Sequence, residues 1–127
     1  MSKIIITNNA LVYEKYHNKY EVIFLENAQL LEVLYEARDK IHQGFVLLTH
    51  PMSGSIKPNQ TPFKSIIITP GEERTDYESL TLIENSIAVT LKLLNYKKTP
   101  NWNEKALDDF RTIDLSLIEN VIETSML

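Results

Sequence analysis

Short apolar runs alternate along the chain with segments of helical periodicity. Four runs, each bounded by polar or turn-forming residues, predict β-strands. They cover residues 3–7, 21–25, 45–48 and 65–69. The first and the last each contain three consecutive isoleucines, a pattern typical of strands that are covered on both faces.

The segments that follow these runs repeat apolar residues at spacings of three and four, as one face of a helix requires. Asn9 is a candidate N-cap of a short first helix, and Asn27 of a second, because their side chains can accept from free backbone amides. Gly44 can adopt the left-handed conformation that ends the second helix. Thr75 and Glu78 have the spacing of a capping box before a long third helix.

The third helix has a second apolar row, which makes its apolar face wider than one sheet surface needs. This row contains Leu82, Val89, Leu93 and Tyr96. It predicts that the helix either lies between other elements or meets a second copy of the chain in a homodimer. The last segment predicts helices broken near residues 112–114, and its acidic residues are most simply a solvated helix face.

Strands that alternate with helices predict an α/β fold, with one three-layer domain over residues 1–127. We expect a mostly parallel four-stranded sheet with flanking helices and a long ordered loop between strands three and four. That loop contains no helix for a parallel crossover, which leaves open a fourth strand that is antiparallel and lies at the sheet edge.

Composition narrows the functional classes. The 127 residues include 43% apolar and 24% charged residues, as in an ordinary soluble domain. The absence of cysteine excludes disulfides and thiol chemistry. The net charge of −4 without a basic stripe argues against nucleic acid. No apolar run approaches the ~20 residues that cross a bilayer, so we expect no membrane association and a cytoplasmic location. No metal ligand set or cofactor motif is present.

The segment over residues 49–65, here called the central loop, is the strongest functional signal. It contains three of the five prolines, each of which fixes a backbone angle and favours order. A connection of this length without helical periodicity is usually functional or disordered. We therefore expect an ordered functional loop.

Polar residues of the central loop are expected to meet the polar carboxyl ends of strands one and three at one edge of the sheet, where α/β folds bind ligands. The segment Ser53-Gly54-Ser55 with Lys57 can form an anion-binding nest, and His50 is a candidate acid or base. The alternative is that these side chains only satisfy loop backbone. The candidate binding residues are Asn8, Asn9, Thr49, Ser53, Gly54, Ser55, Lys57, Asn59, Thr61, Lys64 and Ser65.

Several short motifs resemble the GrdX family over roughly residues 3–95. They are the Ile-Ile-Ile-Thr-Asn-Asn start, Thr49-His50-Pro51, Ser53-Gly54-Ser55, Lys57-Pro58-Asn59, Thr61-Pro62, Lys64-Ser65 and Glu84-Asn85-Ser86. The resemblance implies a small protein encoded beside glycine, sarcosine or betaine reductase components in anaerobic Firmicutes. It implies an accessory role, and it assigns no catalytic residue. Without cysteine, this chain cannot perform the thiol step of such a reductase.

Two functions remain open at the level of sequence. The first is an accessory protein of unassigned activity whose central loop binds a small anionic metabolite, such as a carboxylate or phosphate, or a reductase-component protein. The second is a small enzyme acting on a carboxylated or phosphorylated metabolite. In that enzyme His50 would be the acid or base, and Lys57 or Lys64 would hold the anion.

Overall fold

The computed structural model describes residues 3–54 and 56–125, Ser125 by its backbone alone. These residues form one four-stranded sheet and four helices. In chain order the elements are β1 (Ile4–Thr7), α1 (Ala10–Tyr16), β2 (Glu21–Phe24), α2 (Leu30–His42), β3 (Phe45–Leu47), β4 (Ser65–Pro70), α3 (Tyr77–Tyr96) and α4 (Glu104–Ser125). The four predicted strands are therefore present, with ends that differ by one residue.

The sheet is mixed, and the prediction of a mostly parallel sheet is wrong. Its strand order is β2-β1-β4-β3. The β1 and β2 strands are parallel, whereas β4 runs antiparallel to both β1 and β3. The central loop returns without a helical crossover, so β4 can only enter the sheet in the opposite direction.

The position of β4 also differs from the sequence-based expectation of an edge strand. It lies in the middle of the sheet, where Ile66, Ile67 and Ile68 are fully buried. Ile5 opposes Ile67 in the β1–β4 register, and Ile5 is also fully buried. Three apolar residues in a row need cover on both faces, which an interior strand provides.

The alternation of side chains along the strands builds two separate cores, and this confirms the three-layer arrangement. On one face, Ile4, Ile6, Ile66 and Ile68 pack with residues of α2 and α3. On the other face, Ile5 and Ile67 pack with residues of α1 and α4. Because successive strand residues point to opposite faces, each isoleucine run supplies both cores at once.

Two helix starts lie one or two residues from their predicted caps. Asn27 has a positive φ of 62° and lies before the helix, and Gln29 is the N-cap of α2. The N-cap of α3 is Asp76, which accepts a hydrogen bond from the Ser79 amide at 3.1 Å. The capping box predicted for Thr75 and Glu78 is therefore wrong.

Two other predicted helix ends are confirmed. Asn9 caps α1 by accepting a hydrogen bond from the Leu11 amide at 3.1 Å. Gly44 follows α2 with a φ of 103°, a conformation that costs glycine little because it has no Cβ.

The last helix is continuous, and the predicted break near residues 112–114 is wrong. The Asn103 side chain accepts a hydrogen bond from the Ala106 amide at 2.9 Å at its start. The middle of α4 contains Asp114, which is only 6% exposed. A buried acid needs polar partners, and Asp114 has them in Ser65 and Asn9.

The third helix keeps part of its apolar face in solvent. Val89 and Leu91 are 46% and 45% exposed, and Tyr96 is 86% exposed. The last helix cannot cover them, because it packs on the opposite face of the sheet. The homodimer therefore stays a prediction. Across the described ranges, no helix combines the length and apolarity needed to span a membrane.

Candidate functional site

Polar residues at the ends of β1 and β4 meet at one edge of the sheet, and β4 separates the ends of β1 and β3 whose meeting the sequence predicts. Thr7, the last residue of β1, lies opposite Ser65, the first residue of β4. Their hydroxyl oxygens are 2.7 Å apart and buried. Because β4 is antiparallel, its amino end and the carboxyl end of β1 share this edge. This confirms the expectation that Lys64 and Ser65 would lie there.

Asp114 from α4 completes a buried polar cluster at this edge. Its Oδ2 atom accepts a hydrogen bond from Ser65 Oγ at 2.7 Å and from Asn9 Nδ2 at 3.0 Å. The Thr7 hydroxyl accepts a hydrogen bond from the Asn9 amide at 2.9 Å. We call Thr7, Asn9, Ser65 and Asp114 the polar cluster.

The surroundings of Asp114 favour its neutral form. Burial raises the pKa of the Asp114 carboxyl above its usual value, since the charged form loses water. Hydrogen bonds from Asn9 and Ser65 and the positive charge of Lys64 lower the pKa, but they do not cancel this rise. Perturbed carboxyls of this kind occur often in functional sites and sometimes in structural networks.

Lys64 is the charged neighbour of the polar cluster. Burial lowers the pKa of its ammonium group, and the negative charge of Asp114 opposes this shift. Within the described part of the chain, the ammonium group has neither a hydrogen bond nor an ion pair. A half-buried amine without a direct partner is costly for a structural role.

Lys64 and Asp114 line the same partly open cavity, which lies between the central loop and α4. Its volume is about 270 Å³. The remaining walls come from both segments and are mostly apolar. They are Ser53, Gly54, Ile56, Thr61, Phe63, Phe110, Ile113 and Leu117. We call this space the α4 cavity.

Gly54 brings the central loop against α4. It has a φ of 96°, as predicted for a left-handed turn, where residues with a Cβ are strained. A Cβ built on Gly54 would lie 3.0 Å from Leu117 Cδ1. The backbone conformation therefore favours glycine, and a Cβ would in addition require a small shift of the Leu117 side chain.

Asn8 has a structural role at the same edge. Its Nδ2 atom donates hydrogen bonds to the carbonyls of Ala28 and Pro62, both at 2.9 Å. Its Oδ1 atom accepts from the Lys64 amide at 3.0 Å. Asn8 therefore fixes the backbone beside Lys64, and its amide group is fully used in doing so.

The side chains of Thr49 and His50 also form hydrogen bonds with backbone amides. The Thr49 hydroxyl accepts a hydrogen bond from the Ile67 amide at 3.1 Å, which extends the sheet beyond β3. His50 is exposed, and its Nδ1 atom accepts from the Met52 amide at 3.0 Å. Both side chains fit the alternative, left open by the sequence, that they only satisfy loop backbone. Neither residue lines the α4 cavity.

The other predicted loop residues divide between the cavity and other places. Ser53, Gly54 and Thr61 line the α4 cavity, whereas Lys57 is exposed and outside it. Ser55 lies outside the described residues. Among the described residues, no hydrogen bond joins the Lys57 side chain to the polar strand ends, and its role in binding stays a prediction.

Asn59 ties the central loop to the end of α3. Its Nδ2 atom donates to the carbonyls of Leu93 at 3.3 Å and Lys97 at 3.0 Å. Its Oδ1 atom is buried without a hydrogen-bond partner among the described residues. Nearby, Trp102 Nε1 donates to the Gln60 carbonyl at 2.7 Å. These contacts hold the far side of the loop in place.

A second cavity lies on the other side of the central loop. It has a volume of about 630 Å³ and is lined mainly by apolar residues. They are Ala28, Gln29, Leu30, Leu31, Pro58, Thr61, Pro62, Leu91, Leu94, Asn95, Lys98 and Thr99. Its one charged lining residue, Lys98, is exposed, so it lacks the buried charges of the α4 cavity. Residues 3–54 and 56–125 contain no group of acids and histidines suited to a metal ion.

Asp114 is the site residue that sequence reasoning missed. It was assigned to a solvated acidic face beside a helix break. The signal was its position in the row Phe110, Asp114, Ile118 and Ile122, which repeats every four residues along a continuous helix. An acid inside an apolar row at helical spacing indicates a buried carboxyl with partners.

Comparison with known proteins gives the family. No curated protein and no solved structure matches the chain. The family model described as GrdX-like protein matches residues 4–123, which includes all four strands and the whole polar cluster. The match extends past the segment that carried the sequence resemblance and reaches through most of α4. This chain therefore belongs to the GrdX-like protein family.

Proposed function

We propose that this protein is an accessory protein of a glycine reductase-related system and that it binds a small anionic metabolite in the α4 cavity. Family membership suggests the association with such systems. The anion would be a carboxylate or phosphate, as the sequence indicated, but held by Lys64 instead of Lys57. A reductase component is the proposed protein partner.

The observation that carries this proposal is the ammonium group of Lys64. Lys64 lines the α4 cavity, and its ammonium group lacks a direct protein partner among the described residues. Burial disfavours its charge, and a bound anion would remove that cost by charge pairing in a low-dielectric site. Asn8 fixes the Lys64 backbone, so the part of the chain that carries the amine is held in place before the ligand arrives.

The size and walls of the cavity define the ligand class. About 270 Å³ is below the range of roughly 300–1,000 Å³ that is typical for drug-sized ligands. The aromatic and aliphatic walls favour a ligand with a small apolar body. A short carboxylate meets both conditions better than a nucleotide or a sugar phosphate.

The experiment compares Lys64→Met with Lys57→Met as a matched control. Thermal unfolding is followed with a panel of short carboxylates and phosphates. An anion at 100 times its dissociation constant should add about 2.7 kcal/mol of stability to the wild type. Lys64→Met should remove this gain and keep the unliganded fold, because it removes a desolvated charge. Lys57→Met should behave as the wild type. Equal loss in both variants, or stabilisation by no member of the panel, would contradict the proposal.

A second candidate function, a small enzyme, rests on Asp114. Its raised pKa in a cavity beside an amine suits a general acid or base. Asp114 is better placed for this role than His50, which is exposed and already accepts a backbone hydrogen bond. Recovery of an unchanged ligand after incubation with the protein favours binding over turnover.

A further inference from the structure

Two groups of opposite charge type line the α4 cavity. They belong to Lys64 and Asp114, which are both lining residues of this cavity. Each influences the ionisation of the other. Within the described ranges, however, no direct ion pair joins them. The cavity therefore offers a separate site for a negative group and for a positive group.

We infer that the α4 cavity binds a small zwitterion, whose carboxylate pairs with Lys64 and whose ammonium pairs with Asp114. This inference rests on the proposed function, because it names the class of the anion bound there. It adds Asp114 as a second residue that recognises the ligand, through the ligand's ammonium group. Asp114 then acts as a ligand-binding residue as well as the anchor of α4.

A simple anion would be a poorer fit for this cavity. Its negative charge would lie beside a carboxyl group, and like charges in a low-dielectric site repel each other. Binding of a simple anion would therefore favour protonated Asp114, whereas the ammonium group of a ligand would stabilise the ionised carboxylate that burial disfavours. A zwitterion brings a positive group to Asp114 and a negative group to Lys64, so that each buried charge gains a partner.

The polar cluster leaves Asp114 with capacity for an ammonium. A carboxylate has about four lone-pair sites. The Ser65 backbone amide interacts with the Asp114 carboxyl, and the side chains of Ser65 and Asn9 both donate to Oδ2. These two donors also hold the carboxyl in one orientation while the residue lines the cavity. An ammonium group donates hydrogen bonds and accepts none, so it can donate to the remaining lone pairs of the Asp114 carboxylate.

The walls of the α4 cavity limit the size of the zwitterion. Phe63 and Phe110 contribute aromatic surface, and Ile113 and Leu117 contribute aliphatic surface. The volume of about 270 Å³ suits a short amino acid whose carbon chain separates its two charges by a few bonds. Larger amino acids with charged side chains would bring a third charge against apolar walls at a desolvation cost.

The test uses alanine and β-alanine as zwitterions, with propionate and ethylammonium as their common fragments. Propionate lacks the ammonium of either amino acid, and ethylammonium lacks the carboxylate. Calorimetric titration of the wild-type protein should show one of the amino acids binding at least tenfold more tightly than propionate. Ethylammonium should bind more weakly than the amino acid. In Asp114→Asn, the amino acid and propionate should bind within threefold of each other.

Failure of this inference differs from failure of the proposed function. If propionate binds the wild type as tightly as both amino acids, the zwitterion is wrong and anion binding stands. If no probe binds, both are wrong. The wild-type comparison decides the matter even if Asp114→Asn folds poorly. Lys64→Met adds a second check, because it should weaken the binding of both the amino acid and propionate.

Discussion

Ser65 Oγ donates a hydrogen bond of 2.7 Å to Asp114 Oδ2 and so joins the first residue of β4 to the middle of α4. The two residues are 49 positions apart in the chain. Through this contact the last helix contributes a carboxyl group to the edge where β1 and β4 meet. The candidate site exists only because both segments reach it.

The first prediction concerns the hydroxyl of Ser65. Ser65→Ala should lower the free energy of unfolding by about 1–3 kcal/mol, because it leaves the buried Asp114 without one donor. Ser116→Ala is the matched control, since Ser116 is an exposed serine of the same helix as Asp114, and it should change stability by less than about 0.5 kcal/mol. Urea unfolding measures both. Equal effects would show that the hydrogen bond contributes nothing specific.

The second prediction concerns pH and Asp114. Burial raises the pKa of this carboxyl in the folded protein above its usual value of 3.8, so the folded state holds the proton more tightly than the unfolded chain. Stability from this group is therefore greatest below the unfolded pKa, and it falls as pH rises through the window between the two values. Lys64 is the charged group facing Asp114 that opposes this shift.

Asp114→Asn isolates this pH effect because it keeps the shape of the side chain and removes its ionisable group. Urea unfolding from about pH 4 to about pH 8 should show a stability curve that falls less with pH in Asp114→Asn than in the wild type. Asp109→Asn, at an exposed position of the same helix, is the control and should keep the wild-type slope. Parallel curves for wild type and Asp114→Asn would contradict the raised pKa.

The third prediction concerns Gly54. Gly54→Val should lower the free energy of unfolding by on the order of 1–3 kcal/mol, because a β-branched residue is strained at positive φ. Part of the cost should come from the close approach to Leu117. Adding Leu117→Ala should therefore relieve the steric part and leave the backbone part. An unchanged melting temperature in Gly54→Val would mean that the left-handed turn is absent in solution.

The fourth prediction is a homodimer through the exposed face of α3. Val89 and Tyr96, seven residues apart on one face of α3, leave apolar surface in solvent, and a second copy would cover it. Sedimentation at micromolar concentration should show a dimer for the wild type and a monomer for Val89→Lys. Lys92→Glu is a control on the same helix. A wild-type protein that sediments only as a monomer would contradict the dimer.

Local sequence patterns predicted most of the strands and helices, but they did not predict how distant strands pair. The isoleucine runs identified β1 and β4 as strands covered on both faces, since that property depends on the run itself. They did not place β4 between β1 and β3, because strand order depends on how distant segments pair. The capping positions at Asn27 and Thr75 were wrong by one or two residues, since several nearby polar residues can serve as caps.

The candidate site was predicted in its location and only partly in its chemistry. The loop and the strand ends indicated the edge of the sheet beside the α4 cavity, and Lys64 and Ser65 lie there. Lys57 and His50 have side chains suited to an anion site, but neither residue lines the α4 cavity with Lys64. Asp114 was missed because an acid among other acids resembles a solvated face until the helix is known to be continuous.

The most direct test of the central claim is an amide chemical-shift map of the wild-type protein titrated with propionate and alanine. Saturable shifts should centre on the two segments that line the α4 cavity. The affected amides should be those of Ser53, Gly54, Thr61, Phe63, Lys64, Ile113, Asp114 and Leu117. Shifts centred instead on Leu31, Leu94 and Lys98 of the second cavity, or no saturable shifts with either probe, would contradict ligand binding beside Lys64 and Asp114.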